Sequence, residues 1–174
     1  MILPPTSRLT FRRLDPVADL MQAYRMQSDP DVMRFIRTPD TDIESVKARL
    51  LLWKDYEVKC PDMGVWLIVW AETGAIAGHC VLREAEWKEG NDLEIGYVLL
   101  KEFWGKGIAT EVARNLCDYA FSRFDRSFLI AYVDPENASS RHVLEKCGFK
   151  AGLLVSIYDS VSLTFKLERT QFQT

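Results

Sequence analysis

A chain of 174 residues that is 48% hydrophobic and 27% charged has the length and composition of one globular domain with a substantial core. Its net charge of −3 excludes a broad cationic face for nucleic acid, although it leaves room for a small basic pocket. Cys60, Cys80, Cys117 and Cys147 form no C-x-x-C pair and only His79 and His142 carry imidazoles, so no metal site is expected and the thiols suit a reducing cytoplasm.

Taken in order, Arg8 to Arg13 alternates Leu9 and Phe11 with polar residues and reads as a strand. Asp15 and Pro16 can cap and open a helix whose buried face is Val17, Leu20, Met21 and Tyr24. Asp29-Pro30-Asp31 ends it, and Val32 to Ile36 is a short turn. Thr41 or Asp42 caps a longer helix to about Val58, with Ile43, Val46, Leu50 and Trp53 inward and Glu44, Lys47, Arg49 and Lys54 on a solvated face. Gly64 to Ala71 and Ala75 to Arg83 form a hairpin through Glu72-Thr73-Gly74; Val65 to Ala71, the longest apolar run, is too short to span a bilayer. The start, Met1 to Pro5, has no basic leader before a long apolar run, so no signal peptide is expected. A turn at Lys88 to Asp92 leads into a strand at Leu93 to Leu99. A helix follows with Ile108, Val112, Leu116, Tyr119 and Ala120 on one stripe. Ser127 to Val133 is a strand, Asn137 caps a helix to Cys147 that Gly148 ends, and Phe149 to Tyr158 with Val161 to Glu168 makes a terminal hairpin. The order implies one mixed sheet, antiparallel at its start and locally parallel across Leu93–Leu99 and Ser127–Val133.

The stretch Trp104-Gly105-Lys106-Gly107-Ile108-Ala109 lies where a strand hands over to a helix. Glycines there permit a tight turn and close approach of a ligand, and the unpaired first-turn amides and helix dipole favour an anion, with Lys106 adding charge. The stretch fits neither a P-loop nor a dinucleotide fingerprint, since Thr110 stands where the latter needs its third glycine. A ligand site and a merely conformational use of glycine both remain open on these residues alone.

Two motifs in order, E-I-G-Y-V-L-L-K-E-F-W-G-K-G-I-A-T-E-V (Glu94 to Val112) and N-A-S-S-R-H-V-L-E-K-C-G-F (Asn137 to Phe149), resemble the GNAT superfamily of acyl-CoA-dependent N-acetyltransferases, most closely its RimJ/RimL-like branch. The resemblance runs from about Arg8 to Phe165. The superfamily's pyrophosphate loop usually begins with Arg or Gln; here the place holds Trp104, as is usual in that branch. The resemblance implies an α/β fold of mixed α+β character: a GNAT-like single mixed sheet of about seven strands with a central splayed parallel pair, helices on both faces, and residues 1–174 as one domain. It implies acetyl-CoA as donor and CoA as product. Its pyrophosphate would lie over Trp104, Gly105, Lys106, Gly107, Ile108, Ala109 and Thr110, its pantetheine arm would pair with Val98, Leu99 and Leu100, and Asn137 and Ser140 would also touch it. An N–H near Leu99 would polarise the thioester carbonyl.

The resemblance implies a primary amine as acceptor, either a peptide N-terminus or a small molecule; an α-amine, with a pKa near 8, needs less help from a base than a lysine near 10.4. Glu94 is the candidate base, directly or through water, or else a solvent-facing strand residue. The tyrosine that many members use as acid is replaced by Leu144, and Ser140 is the candidate donor to the departing thiolate, or a first-turn cap; Tyr97 is a fallback. His79 reads as structural or substrate-facing, and Arg141 and Lys146 as outer-phosphate contacts or solvated charges. Asp40, Asp42, Glu84 and Glu86 either favour a cationic acceptor or form a solvated surface. The expected protein is cytoplasmic, a monomer or homodimer, without nucleic-acid, membrane or metal partners. Two other functions share these residues: a non-catalytic acyl-CoA sensor, and a protein-interaction domain with a structural glycine turn.

Overall fold

The structure, a computed structural model, describes residues 3–85 and 92–172. Its strands are β1 (Leu9–Arg13), β2 (Gly64–Trp70), β3 (Ile76–Glu84), β4 (Leu93–Leu99), β5 (Phe128–Val133), β6 (Lys150–Ile157) and β7 (Ser160–Glu168), joined in one seven-stranded sheet of order β1-β2-β3-β4-β5-β7-β6. The helices are α1 (Leu20–Gln27), α2 (Pro30–Met33), α3 (Ile43–Lys59), α4 (Ile108–Arg123) and α5 (Ala138–Lys146). β1 runs antiparallel to β2, β5 to β7 and β6 to β7, whereas β4 and β5 are parallel, as the strand–helix–strand order requires. The mixed sheet with its parallel pair is the architecture the sequence predicts. The predicted turn at Lys88 to Asp92 lies, except for Asp92, outside the described residues, as does Glu86; Ala85 N–H donates to Asp92 O at 3.0 Å.

Two compact units make up the chain, Met1–Val81 with Val98–Lys106 and Leu82–Tyr97 with Gly107–Thr174. In the first, Leu14, Ala23, Val46, Leu50, Val65 and Leu67 form a buried cluster, against which Leu20, Tyr24, Trp53, Ile76 and Val81 pack. A second cluster gathers Met26, Val32, Met33 and Leu100 with Val98 and Phe103. α3 starts as expected, with Asp42 accepting from the amides of Glu44 and Ser45. α1 does not. Asp15 accepts from the amides of Val17 and Ala18, which makes a turn, and Asp19 accepts both nitrogens of the Arg12 fork at 2.7 and 2.6 Å; the helix begins at Leu20. Val17 and Met21, expected to be buried, are 84% and 67% exposed, whereas Leu20 and Tyr24 do pack on the core beside the buried Ala23, Met26 and Gln27. Asp29 caps the short α2, whose first residue is the Pro30 expected only to break the chain.

In the second unit Leu93, Ile95, Ile108, Val112, Leu116, Leu129, Phe165 and Leu167 are buried. Asn137 caps α5 by accepting from Ser140 N–H at 3.0 Å. The β6–β7 hairpin turns through Tyr158 (φ 52°) and Asp159 (φ 59°), both left-handed without being glycine. What holds Tyr158 there is its hydroxyl, which donates to Glu94.

Candidate active site

The turn before α4 is built as the glycines suggest. After a single 3₁₀ turn at Lys101–Phe103 the chain reaches Gly105 (φ 72°) and Gly107 (φ 74°), angles that a Cβ would strain. Gly107 is the N-cap of α4 and supplies no side-chain hydrogen bond, so the amides of the first turn are left to an external acceptor. An anion fits this helix start by charge and by shape. Lys106 places Nζ 5.3 Å from the Phe103 ring centre, and Arg8 donates to Lys106 O at 3.0 Å, a second cation that nothing in the sequence pattern marks. Trp104 serves differently from its neighbours: its Nε1–H donates to Leu99 O at 2.9 Å.

That bond bears on the end of β4. Leu100 N–H donates to Ala77 O at 2.9 Å, and because amides alternate edges along a strand, the Leu99 N–H faces away from β3. Gly78 is what permits this approach; a Cβ there would lie 2.0 Å from Val98 O. Farther up β4, Leu93 pairs with Leu129 and Glu94 with Ile130, and among the described residues the β4–β5 ladder goes no further. β5 continues to Val133, paired through Leu163 with β7 only on its other side. Ile95 to Tyr97 thus leave a strand edge open toward β5, where an extended ligand arm can add.

Three side chains meet on the β4 segment of the second unit. Glu94, 6% exposed, accepts from Arg83 Nε at 3.0 Å and Nη2 at 2.8 Å, and from Tyr158 Oη at 2.5 Å. The Arg83 guanidinium also lies 4.6 Å from the Tyr158 ring centre. The solvent-facing alternative for Glu94 is thereby removed, but its oxygens are engaged, so any proton reaches it by way of the Tyr158 hydroxyl or water. Neither Arg83 nor Tyr158 was marked by the sequence, since contacts with Glu94 across 11 and 64 residues leave no local pattern. Tyr97 Oη stands 3.1 Å from Ser140 Oγ and 3.4 Å from Ser140 O. Burial raises the Tyr97 pKa further than the Ser140 hydrogen bond lowers it, so the phenol keeps its proton. The candidate and fallback acids therefore come as a bonded pair.

In the first unit His79 is enclosed by Met26 and Trp53, with Nδ1 3.2 Å from the Met26 sulfur and ring centres 5.4 Å apart. Burial, with a smaller contribution from the Arg37 charge, pushes its pKa down to about 4 and keeps the ring neutral. Arg49, expected on the solvated face of α3, instead turns to Asp40, with Nη1 2.8 Å from Oδ2.

Comparison with known proteins shows the family. The acetyltransferase (GNAT) domain matches residues 8–150, most of the chain. The protein belongs to the GNAT acetyltransferase family. The acetyltransferase is 34% identical over 152 residues to the uncharacterised N-acetyltransferase p20 of Bacillus licheniformis, covering 86% of this chain and 83% of that one. Its fold matches the spermidine N-acetyltransferase of Vibrio cholerae in complex with CoA and spermine (TM-score 0.77, 19% identity, 96% and 99% of the two chains covered). It also matches RimL, the ribosomal L7/L12 α-N-protein acetyltransferase in complex with CoA (TM-score 0.80, 16% identity, 97% and 98% covered). The chain is an N-acetyltransferase.

Proposed function

We propose that this acetyltransferase, a single domain of RimJ/RimL-like type over residues 1–174, transfers an acetyl group from acetyl-CoA to a primary amine in the cytoplasm, acting as a monomer or homodimer. The amine, a peptide N-terminus or a small molecule, attacks directly while both substrates are bound. The observation that carries this reading is the start of α4, where Gly107 leaves first-turn amides without a side-chain cap beside Lys106. Trp104 to Thr110 would hold the donor's pyrophosphate there. Val98 to Leu100 would hold its pantetheine arm, together with Asn137 and Ser140. The thioester supplies an activated acyl carbon and a leaving thiolate.

The chain's own groups then have separate tasks. Leu99 N–H, turned away from β3, donates to the carbonyl oxygen as charge develops. Tyr97 keeps its proton and donates to Ser140, which frees the Ser140 hydroxyl hydrogen for the departing sulfur. Glu94 takes up the amine's proton through the Tyr158 hydroxyl or a water. Alignment of amine and thioester lowers the barrier further, without a covalent acyl-enzyme.

Isothermal titration with acetyl-CoA tests the donor site. Wild-type protein is expected to bind, and Gly107→Glu, which sets bulk and negative charge in the phosphate path, is expected to lose binding while its circular dichroism stays native. Equal affinity in the two proteins would remove the pyrophosphate from this turn. Release of free thiol from acetyl-CoA on adding an amine reports the reaction itself.

A further inference from the structure

The loop between α2 and α3 carries an arrangement that the donor side does not use. Asp40 Oδ2 accepts from Arg37 Nη2 at 2.6 Å and from Arg49 Nη1 at 2.8 Å, and Oδ1 accepts from Arg49 Nη2 at 3.1 Å. The same Arg37 nitrogen donates to Oε1 of Gln27 at 2.7 Å, and Arg49 Nη1 donates to that oxygen too. Gln27 is only 2% exposed, so both arginines are drawn inward at that point. One carboxylate therefore faces two guanidiniums. The nearest further acid along the chain, Asp42, is committed to the amides of Glu44 and Ser45 and to the Ser45 hydroxyl. Among the described residues a unit of positive charge is thus left over in a partly enclosed place.

The donors are left over as well. Arg37 spends one Nη1 hydrogen on Thr38 O, and among the described residues the Nε–H and one further N–H of each guanidinium make no hydrogen bond. The side chains of Arg37 and Arg49 remain 32% and 27% exposed, so these donors are reachable. Arg49 keeps Nε–H and one Nη2–H on a single edge, which matches a carboxylate's paired hydrogen bonds in a plane, and Arg37 adds its Nε–H as a further donor.

The position matters as much as the charge. Both arginines hold Gln27, the residue after Met26 in α1; Met26 touches His79 and packs with Val98 and Leu100 at the end of β4. That end of β4 is where the proposed transfer occurs, and the neutral imidazole between adds no competing cation. Among the described residues, the acids that suggested a cationic acceptor are otherwise engaged: Asp40 by the two arginines, Asp42 by α3, and Glu84 with Arg126 at 3.9 Å.

Resting on the acetyltransferase reading above, we infer that Arg37 and Arg49 form an anion subsite for the acceptor, and that the amine acetylated here belongs to a molecule bearing a carboxylate. Free amino acids and peptides with acidic first residues share that chemistry, and length of the best substrate separates them.

The test measures kcat/KM of the full chain with acetyl-CoA against matched pairs: amino acids and their carboxamides, acidic peptides and their amide counterparts, and spermidine. Each acid is expected to exceed its amide by about tenfold or more, the effect of a charge-assisted hydrogen bond. In Arg37→Gln, which leaves the Asp40–Arg49 pair in place, the acid-to-amide ratio is expected to fall toward one, chiefly through KM of the acid. Arg49→Gln is expected to do the same independently. Amides or spermidine turned over as well as the acids would overturn the subsite, as would variants that slow acid and amide by one factor. Acetyl transfer to any of these amines would still uphold the enzyme reading in that case. Absence of both acetyl-CoA binding and thiol release with every amine would instead bring down that reading, and the subsite with it.

Discussion

Glu94→Gln separates the two parts that Glu94 plays. The carboxylate receives two hydrogen bonds from Arg83, at 3.0 and 2.8 Å, and one from Tyr158 at 2.5 Å. A glutamine keeps one acceptor oxygen but turns an NH2 group toward donors, so the ion pair is lost. Hydrogen bonds to a charged group are worth about 1.5–3 kcal/mol, and Arg83 is far enough exposed for water to repay part of its loss. A net cost of about 2–3 kcal/mol follows, which for a chain of this length lowers the melting temperature by about 4–12 °C. Differential scanning fluorimetry reads that shift, and steady-state kinetics at a temperature where both proteins are folded read the other part. Turnover is expected to fall by about 10²–10⁴-fold, the usual worth of a general base, with little change in KM for acetyl-CoA. Arg83→Met serves as the control, because it removes the same pairing yet leaves the carboxylate, so it should melt early and turn over better than Glu94→Gln. A Glu94→Gln protein that melts with the wild type would refute the pairing drawn here. One with wild-type turnover would take the base away from Glu94.

Ser140→Ala and Tyr97→Phe should each lower kcat while acetyl-CoA affinity, read by titration, changes little; a loss of affinity equal to the loss of rate would reduce both residues to donor-site packing. Gly78→Ala should destabilise the chain by about 1–3 kcal/mol or more and impair transfer, since its Cβ would lie 2.0 Å from Val98 O, and a native melting curve would contradict that approach of β3 to β4. His79 protonates below about 6.5 in the unfolded chain but only below about 4 in the fold, so the unfolded chain binds the extra proton between those values. Stability is therefore full above pH 6.5 and declines toward pH 4, by at most about 3 kcal/mol, and melting curves of His79→Gln over that range should lose the slope.

Local chemistry explains which elements were legible in the sequence. Asp42 and Asn137 stand immediately before helical stripes, and both act as caps because a short acceptor side chain at that position has backbone amides in reach. The glycines before α4 could be read because positive φ leaves few alternatives to glycine. Asp15-Pro16 carried an equally good helix-start signal and failed. There Asp19 took the Arg12 fork and the amide of Asp15, so the chain turned once more before coiling, and Val17 was left outside. The Tyr158–Asp159 turn bore no glycine or asparagine to announce its left-handed angles, because a tertiary contact, the Tyr158 hydroxyl on Glu94, holds it.

The donor and acceptor sides differ for the same reason. Contacts to a pyrophosphate come from consecutive backbone amides, so a short run of sequence contains nearly the whole of that site. Asp40 and Arg49 read as ordinary surface charges because a charge's meaning depends on what it faces, and Gln27, the buried group that Arg49 shares with Arg37, lies on another helix. A formal count along this loop sees acids and bases in near balance; only the pairing shows that one arginine's charge remains unmatched. Counting acids along the chain thus points to a polyamine, whereas tracing where each carboxylate's hydrogen bonds go points to an acid, and matched acid and amide substrates decide between them.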